Sequence, residues 1–206
     1  MALPRTDIQT GSIVIPWEVA MTADRSVQRV QEQLRKTTAA LEKEGVPFAV
    51  IGGNAVALWV GSVNPAAVRT TKDVDILLRR QDLWRAAAAM QQAGFIPEEV
   101  HGVSMFLDRE DPLPSRGVHV VIAGEKVRPE YTHAAPDLAN AARSADGVPI
   151  VSLYDLLIMK LQSCRDLDRA HIRDLMKVGL ITQEIVNPLP ADLRERFEGI
   201  LANPET

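Results

Sequence analysis

Apolar positions in the first half of the chain recur at two spacings, one typical of helices and one typical of strands. Over 26–44 they return every three to four residues, and Gly45 follows directly. This pattern predicts an amphipathic helix that ends at the glycine. The same signature predicts a second helix over 81–93, which ends before Gly94.

Short apolar runs predict the strands. They lie at 47–51, 73–78, 95–96, 103–107 and 118–123. The run at 73–78 begins with acidic and apolar residues in alternation, which is typical of a strand with one solvated end. After 47–51 the apolar positions resume at helical spacing from Asn54. This part of the chain is therefore predicted to form a strand, a tight turn at Gly52 and Gly53, and a helix.

The last third of the chain changes character. Helical periods are found at 138–143, 152–167, 170–178 and 191–202. We expect an α+β fold, in which a small mixed sheet is flanked by helices and is followed by a helical lobe. The predicted division is an N-terminal arm over 1–24, an α/β core over 25–126 and a C-terminal helical lobe over 127–206.

Composition and charge fit a globular protein without a strong general affinity for polyanions. The chain has 206 residues, of which 46% are hydrophobic and 24% are charged. The formal net charge of -4 means that a polyanion would need a local basic patch. Arg165, Arg169 and Arg173 recur at helical spacing and would form such a stripe. Ion pairs with neighbouring acids on a solvated face would explain the same spacing.

The expected compartment follows from cysteine and apolar content. Cys164 is the single cysteine, which excludes an internal disulfide and favours a reducing environment. No apolar stretch approaches the roughly 20 residues that span a bilayer, and the first residues lack the apolar core of a signal peptide. We expect a cytoplasmic protein that has no membrane partner.

Two acids on a predicted strand are the first candidates for chemistry. Asp73 and Asp75 are two positions apart, so their side chains project from the same face and can hold one cation together. Carboxylate oxygens are the ligands that Mg²⁺ prefers, usually one or two from the protein with water and substrate phosphates. A solvated strand end would show the same pattern.

The glycine pair upstream is a candidate anion site. Gly52 and Gly53 end a strand and open a helix, where free backbone N–H groups and the positive end of the helix dipole favour a phosphate. The Gly-x-Gly-x-x-Gly dinucleotide pattern and the Gly-Lys-Ser/Thr of a P-loop are both absent.

The two motifs in this order resemble a known signature. The Gly-Gly corner within 51–55, followed by the Arg-x-Thr-x-Asp-x-Asp of 69–75, is similar to the Gly-Gly … Asp-x-Asp signature of the polymerase β-type nucleotidyltransferase superfamily. Its small bacterial branch, which includes the AbiEii-like toxins of toxin–antitoxin systems, has the same form. An Asp-x-x-x-x-Lys element from Asp155 to Lys160 and the charged run at 165–175 extend the resemblance, which covers roughly 46–178.

The resemblance implies a fold and an activity. The fold is a nucleotidyltransferase-like core with a helical lobe, and the activity is transfer of a nucleoside monophosphate from a nucleoside triphosphate to an acceptor hydroxyl. The acceptor can be RNA, a protein or a small molecule. Mg²⁺ is the implied cofactor, with Mn²⁺ as the alternative, and an antitoxin is an implied partner. The alternative function is a catalytically degenerate member that binds a nucleotide, RNA or a protein without turnover.

The resemblance also implies site residues. The metal ligands are Asp73 and Asp75, which with His119 form the catalytic set, and the nucleotide-binding and phosphate-binding residues are Gly52, Gly53, Asn54, Arg69, Thr71 and Lys160.

Plain structural roles compete with several of these assignments. Arg69 could tether its own loop to an acid, and Lys160 could extend along the surface into solvent. Asp155, three residues after Ser152, could form a capping box. A further row of titratable residues at three-residue spacing is expected to be surface charge, and it comprises Asp168, His171 and Asp174.

The strand at 118–123 departs from the family pattern. Members of the superfamily usually supply a third carboxylate from this strand, and here His119 stands at that position. A neutral imidazole can take a proton near neutral pH, and it suits Mn²⁺ better than Mg²⁺ as a ligand. His119 is therefore a candidate general base or metal ligand, and an ordinary core histidine is the alternative.

Overall fold

The computed structural model describes residues 5–6, 13–14, 17–100 and 102–203, with side chains from residue 25 onward. Its α-helices are α1 Trp17–Lys43, α2 Gly52–Val63, α3 Leu83–Gln92, α4 Leu153–Ser163, α5 Asp166–Lys177, α6 Gln183–Val186 and α7 Ala191–Ala202. Its strands are β1 Arg5–Thr6, β2 Ile13–Val14, β3 Phe48–Ile51, β4 Val74–Leu78, β5 Phe95–Val100, β6 Val103–Asp108, β7 Val118–Ile122, β8 Ala142–Arg143 and β9 Pro149–Ile150.

A mixed sheet is the centre of the fold. Within the described part of the chain it has seven strands in the order β5-β6-β7-β4-β3-β9-β8. Strand β4 pairs antiparallel with β3 and parallel with β7, so the acid-bearing strand is interior to the sheet. Strands β1 and β2 pair with each other in a separate two-stranded sheet.

Alternation along the strands divides the core between the two faces of the sheet. Ile76 and Leu78 pack in a cluster with residues of α1 and α3, such as Leu41 and Met90. Leu77 points the other way and packs in a cluster with residues of α2, α4 and α5. Because Asp75 has the same parity as Leu77, its side chain lies on the α2 face of the sheet.

The C-terminal helices have a core of their own. Leu157 and Leu161 of α4 pack against Ile172 of α5 and Phe197 of α7. Helices α4 and α5 meet at Cys164, whose φ of 47° places it in the left-handed region. This residue ends α4, and the chain turns directly into α5.

The α+β fold with a mixed sheet flanked by helices is confirmed, while several boundaries are corrected. The helix predicted over 138–143 is wrong, since the chain there forms a single 3₁₀ turn and then β8. The helix predicted over 152–167 ends at Ser163. Strand β9 pairs parallel with β3, so the segment assigned to the helical lobe also contributes strands to the sheet.

The predicted domain division stays a prediction. Helix α1 begins at Trp17, so its first turns occupy the last residues of the predicted arm, and most of the rest of that arm lies outside the described residues. Of the helices that the structure describes, none combines the length and the apolar character needed to cross a membrane.

Candidate active site

Strand register brings Asp75 and His119 side by side. They are direct partners in the parallel pairing of β4 and β7, and their side chains lie on the same face of the sheet. His119 Nδ1 is 3.4 Å from Asp75 Oδ1. His119 is therefore half-buried beside a carboxylate, and its role as a general base or metal ligand stays a prediction.

The glycine corner lies directly against Asp75. Ile51 pairs with Asp75 across β3 and β4, and the next residue, Gly52, has a φ of +67°. A Cβ built on Gly52 would lie 2.1 Å from Asp75 Oδ2, which is far inside van der Waals contact. Only glycine combines this backbone conformation with this close approach.

The start of α2 is suited to bind an anion. Its N-cap residue is Ile51, which has no side-chain oxygen with which to cap the helix, and the first turn carries no acidic residue. The first backbone N–H groups of a helix have no intrahelical partner, and the helix dipole is positive at this end. The end of α2 thus presents positive potential beside the Asp75 carboxylate.

Two polar side chains fix the segment that leads into β4. Asn54 is buried and donates through Nδ2 to the Asp73 carbonyl oxygen at 2.8 Å. Thr71 lies over the corner, because a Cβ on Gly53 would be 2.6 Å from Thr71 Oγ1. The contact of Thr71 with phosphate stays a prediction, and the amide of Asn54 positions the Asp73 backbone.

The surroundings of Asp73 and His119 shift the pKa values of both side chains. Burial raises the pKa of Asp73, and the negative charge of Asp75 raises it further. The hydrogen bond to Asp75 raises the pKa of His119, against an opposing effect of burial. A cation between the carboxylates would relieve their repulsion.

The acid pair fits a hard cation in a limited way. No group of three or more His, Cys, Asp or Glu side chains in the described residues is arranged to hold a metal ion. Asp73 and Asp75 offer two carboxylates, which is the number that Mg²⁺ commonly takes from a protein when substrate phosphates supply further oxygens. The residues present therefore fit Mg²⁺ bound together with a phosphate-bearing substrate.

The helical lobe contributes a buried ion pair. Lys160 is 7% exposed, and its Nζ donates to Asp168 Oδ1 at 2.8 Å. Asp168 is 1% exposed and also accepts from Arg165 Nε at 2.9 Å. The surface position expected for Asp168 is therefore wrong, and so is the alternative in which Lys160 extends along the surface into solvent. Burial alone would raise the pKa of Asp168, but the Lys160 charge and the hydrogen bonds from Arg165 and Lys160 lower it to about 2.

One cavity is lined both by the glycine corner and by the buried ion pair of the lobe. It has a volume of about 210 Å³, and its wall includes Gly52 and Asp75 from the core and Lys160, Arg165 and Asp168 from the lobe. The cavity is also lined by apolar and aromatic side chains, which include Val121, Val127, Tyr131, Ala135, Leu156 and Met159. We refer to it as the catalytic cavity.

Arg69 and Asp155 take the structural roles that compete with their predicted ones. Arg69 donates through Nε and Nη2 to both carboxylate oxygens of Asp174, at 2.8 and 3.2 Å. Ser152 Oγ accepts from the Asp155 backbone N–H at 3.1 Å and caps α4. The predicted contact of Arg69 with phosphate stays a prediction, although its guanidinium is engaged by a carboxylate here.

Three residues of the site region are predicted from the sequence to lie on a charged helix surface and not among the site residues. Asp168, Arg165 and His171 are spaced like a charged helix surface, and no local signal distinguishes them from one. His171 is 4% exposed and lies near Gly53, with Cε1 3.6 Å from a Cβ built there. Burial, aided by the Lys160 charge, lowers the pKa of His171 to about 4, so this ring is neutral at neutral pH.

Comparisons with known proteins agree with this fold. A family model described as "Uncharacterised nucleotidyltransferase" matches residues 17–176. The solution structure of the antibiotic-resistance factor ANT(2'')-Ia has a TM-score of 0.54 to this chain and 16% identity, over 84% of this chain and 94% of that one. The crystal structure of the Megavirus polyadenylate synthase has a TM-score of 0.52 and 11% identity, over 80% of this chain and 36% of that one. At these identities the solved structures show a shared fold. A sequence search of curated proteins finds no match.

Because Gly52 lies in contact with Asp75, we expect Gly52→Ala to lower the free energy of unfolding by more than backbone strain alone would. The reference is Gly45→Ala, since Gly45 has a φ of +59° and a Cβ there would have its nearest neighbour at 4.0 Å. We expect Gly45→Ala to cost roughly 1–2 kcal/mol of unfolding free energy and Gly52→Ala roughly 1–3 kcal/mol more. Urea denaturation measures both values, and equal costs would contradict the contact.

The ion pair between Lys160 and Asp168 predicts that the free energy of unfolding decreases at acidic pH. The depressed pKa of Asp168 contributes about 2 kcal/mol, which is fully present above pH 4 and is lost as the pH falls towards 2. Asp168→Asn should remove this decrease at acidic pH. It should also lower the free energy of unfolding at pH 7 by about 3–5 kcal/mol, because the Lys160 charge is left buried and unpaired. Asp166→Asn, at an exposed side chain of the same helix, is the control and should change neither value. Urea denaturation from pH 2 to 7 measures these values. If Asp168→Asn showed the same decrease at acidic pH as the wild type, the proposed contribution of Asp168 to stability would be excluded.

Proposed function

The chain belongs to the family of uncharacterised nucleotidyltransferases, since the family model matches most of its length, and we propose that it transfers a nucleoside monophosphate from a nucleoside triphosphate to an acceptor hydroxyl with Mg²⁺. The new bond joins the acceptor oxygen to the α-phosphorus, and the bond from the α-phosphorus to the bridging oxygen breaks. Pyrophosphate leaves, and the hydroxyl proton passes to a base.

A single observation supports this proposal most strongly. The start of α2 and the Asp75 carboxylate are in direct contact through Gly52, so a site for anionic phosphate adjoins a site for a cation. A triphosphate with its divalent ion needs both at once. The two motifs would otherwise each be compatible with an ordinary turn and an ordinary strand end.

In this proposal, residues of both the core and the lobe bind the triphosphate. The backbone N–H groups of Gly52 and Gly53 bind phosphate oxygens at the start of α2. Lys160 and Arg165, in the wall of the catalytic cavity, provide positive charge towards the polyphosphate, and Asp168 keeps both side chains oriented. Apolar side chains near Tyr131 complete the lining of this cavity.

Asp73 and Asp75 are the proposed ligands of the divalent cation. When bound, such an ion neutralises negative charge on the phosphates as pyrophosphate departs. Asn54 holds the Asp73 backbone in place from within α2, so phosphate site and acid pair are fixed to each other. Mn²⁺ is the alternative ion, because an imidazole lies beside the carboxylates.

His119 occupies the place of the third carboxylate of the superfamily. We assign to it the proton of the attacking hydroxyl, on account of its contact with Asp75 on the face of the sheet that carries the acid pair. The same feature supports a second candidate function, in which the chain binds a nucleoside triphosphate without turnover because the third acid is missing.

The acceptor and the biological setting are further proposals. RNA, a protein hydroxyl or a small molecule can each be attacked by the same donor chemistry, and a similar fold does not select among them. Placement in the AbiEii-like branch, an antitoxin partner and a cytoplasmic location stay predictions from the sequence.

Removal of the acid pair tests the transferase. Asp73→Ala combined with Asp75→Ala should abolish pyrophosphate release and label transfer from α-labelled triphosphates, measured with Mg²⁺ or Mn²⁺ and with total RNA or small-molecule acceptors. The fold should persist, because both side chains are partly exposed at the start of β4, and thermal unfolding measures this. Asp146→Asn, at an exposed loop residue, is the control and should keep full activity. Activity retained in the double variant would refute the assignment, and triphosphate binding without any pyrophosphate from the wild type would favour the second candidate.

Substitution of His119 tests the proton transfer. His119→Ala should lower kcat about 100-fold with little change in KM, the usual size of a general-base contribution. His119→Asp should keep most of the rate, because it restores the carboxylate of the superfamily. His119→Gln, similar in size and unable to take a proton, should resemble His119→Ala. A wild-type rate in His119→Ala would dismiss the role.

A further inference from the structure

A second cavity lies in the helical lobe, apart from the catalytic cavity. It has a volume of about 250 Å³ and is lined by three arginines, Arg169 and Arg173 of α5 and Arg196 of α7, together with Gly199 and Asn203. We refer to it as the arginine cavity. Two of these arginines belong to the stripe that the sequence predicts on α5, and the proposed transferase chemistry uses neither.

The positive charge in this cavity is only partly balanced. Arg169 is ion-paired with Asp166, whose side chain is 92% exposed. Arg173 and Arg196 have no carboxylate partner among the residues that the structure describes. Three arginine side chains thus line one cavity, and only Arg169 has a carboxylate partner in the described part of the chain.

Backbone carbonyls hold the three side chains in place. Arg196 Nη1 donates to the carbonyl oxygens of Leu161 and Gln162 at 3.0 and 2.7 Å, near the C-terminal end of α4. Arg169 Nη1 donates to the Cys164 carbonyl oxygen at 2.8 Å. These bonds satisfy the end of α4, and the negative end of its dipole offsets part of the charge.

The carbonyl bonds leave donors unused. A guanidinium has five N–H donors, and each of the three arginines uses only some of them. Arg173 donates through Nη2 to the Asn203 carbonyl oxygen at 2.7 Å, whereas its buried Nε has no hydrogen-bond partner in the described part of the chain. A buried N–H without an acceptor is costly, so an acceptor is expected at this position.

We infer that the arginine cavity is a second anion site, which binds a phosphate-bearing ligand. Pre-positioned guanidinium groups with spare donors match phosphate oxygens in charge and in geometry. The two cavities are linked along the chain, since Cys164 lines the arginine cavity and its sequence neighbours Ser163 and Arg165 line the catalytic one. The inference does not depend on the proposed transferase function.

Gly199 offers a test that leaves the arginines intact. It lies on α7 in the wall of the cavity, and a Cβ built there meets nothing within 4 Å. Gly199→Glu brings a carboxylate to the guanidinium groups, and Gly199→Gln is the neutral control of equal size. Binding of inorganic phosphate, measured by titration calorimetry, should be about tenfold weaker in Gly199→Glu than in Gly199→Gln. Thermal unfolding confirms that both variants fold.

A second arm distinguishes the two sources of phosphate. A fluorescent single-stranded oligoribonucleotide is titrated by anisotropy over a series of salt concentrations. If the phosphate belongs to RNA, affinity is lower in Gly199→Glu, and the negative slope of log affinity against log salt becomes shallower by about 0.7 for each lost phosphate contact. If only inorganic phosphate responds to the substitution, the ligand is a small phosphorylated molecule.

The outcomes separate this inference from the proposed function. Equal binding of phosphate and of RNA by Gly199→Glu and Gly199→Gln would overturn the inference, because the remaining binding would belong to the catalytic cavity. That result leaves nucleotidyl transfer untouched. Loss of transfer in the acid-pair variant, in turn, does not affect the arginine cavity.

Discussion

The antiparallel pairing of β3 with β4 is the constraint on which the site depends. It aligns Ile51 with Asp75, so the residue that follows Ile51 must turn into α2 directly against a carboxylate. Gly52 allows this turn because its φ is +67° and it has no Cβ to collide with Asp75. The positive end of a helix dipole and an acidic side chain, which attract ions of opposite charge, are thereby fixed next to each other. The register of β7 against β4 places His119 beside Asp75.

A buried network of charges makes the helical lobe part of the site. Removal of the Lys160 ammonium from water costs several kcal/mol, and Asp168 offsets this only because the geometry is close and Arg165 satisfies the second carboxylate oxygen. The network fixes positive charge in the wall of a cavity whose other side holds Gly52 and Asp75. Strand β9 attaches this part of the chain to β3, so the lobe is continuous with the sheet.

Sequence patterns located the chemistry of the core better than that of the lobe. The alternation of side chains along a strand and the strand-to-helix turn at the glycines are local rules, and they correctly associated Asp75 with Gly52. The helix expected over 138–143 failed because six residues of helical spacing are a weak signal, and pairing with β9 took two of them into a strand. Asp168 was misjudged for a similar reason, since Asp166 and Asp168 have the same local pattern although one is exposed and the other is buried.

The sequence by itself determined the acid pair, the glycine corner and most elements of the α+β core, because each depends on the conformation of a few neighbouring residues. Only the tertiary structure decided which charges meet. Arg69 pairs with an acid 105 positions away, and Lys160 is buried against Asp168. The free energy of a charge depends on its distance from other charges and on the water that it loses. Both quantities are set by how distant segments pack, and residue spacing along the chain does not encode them.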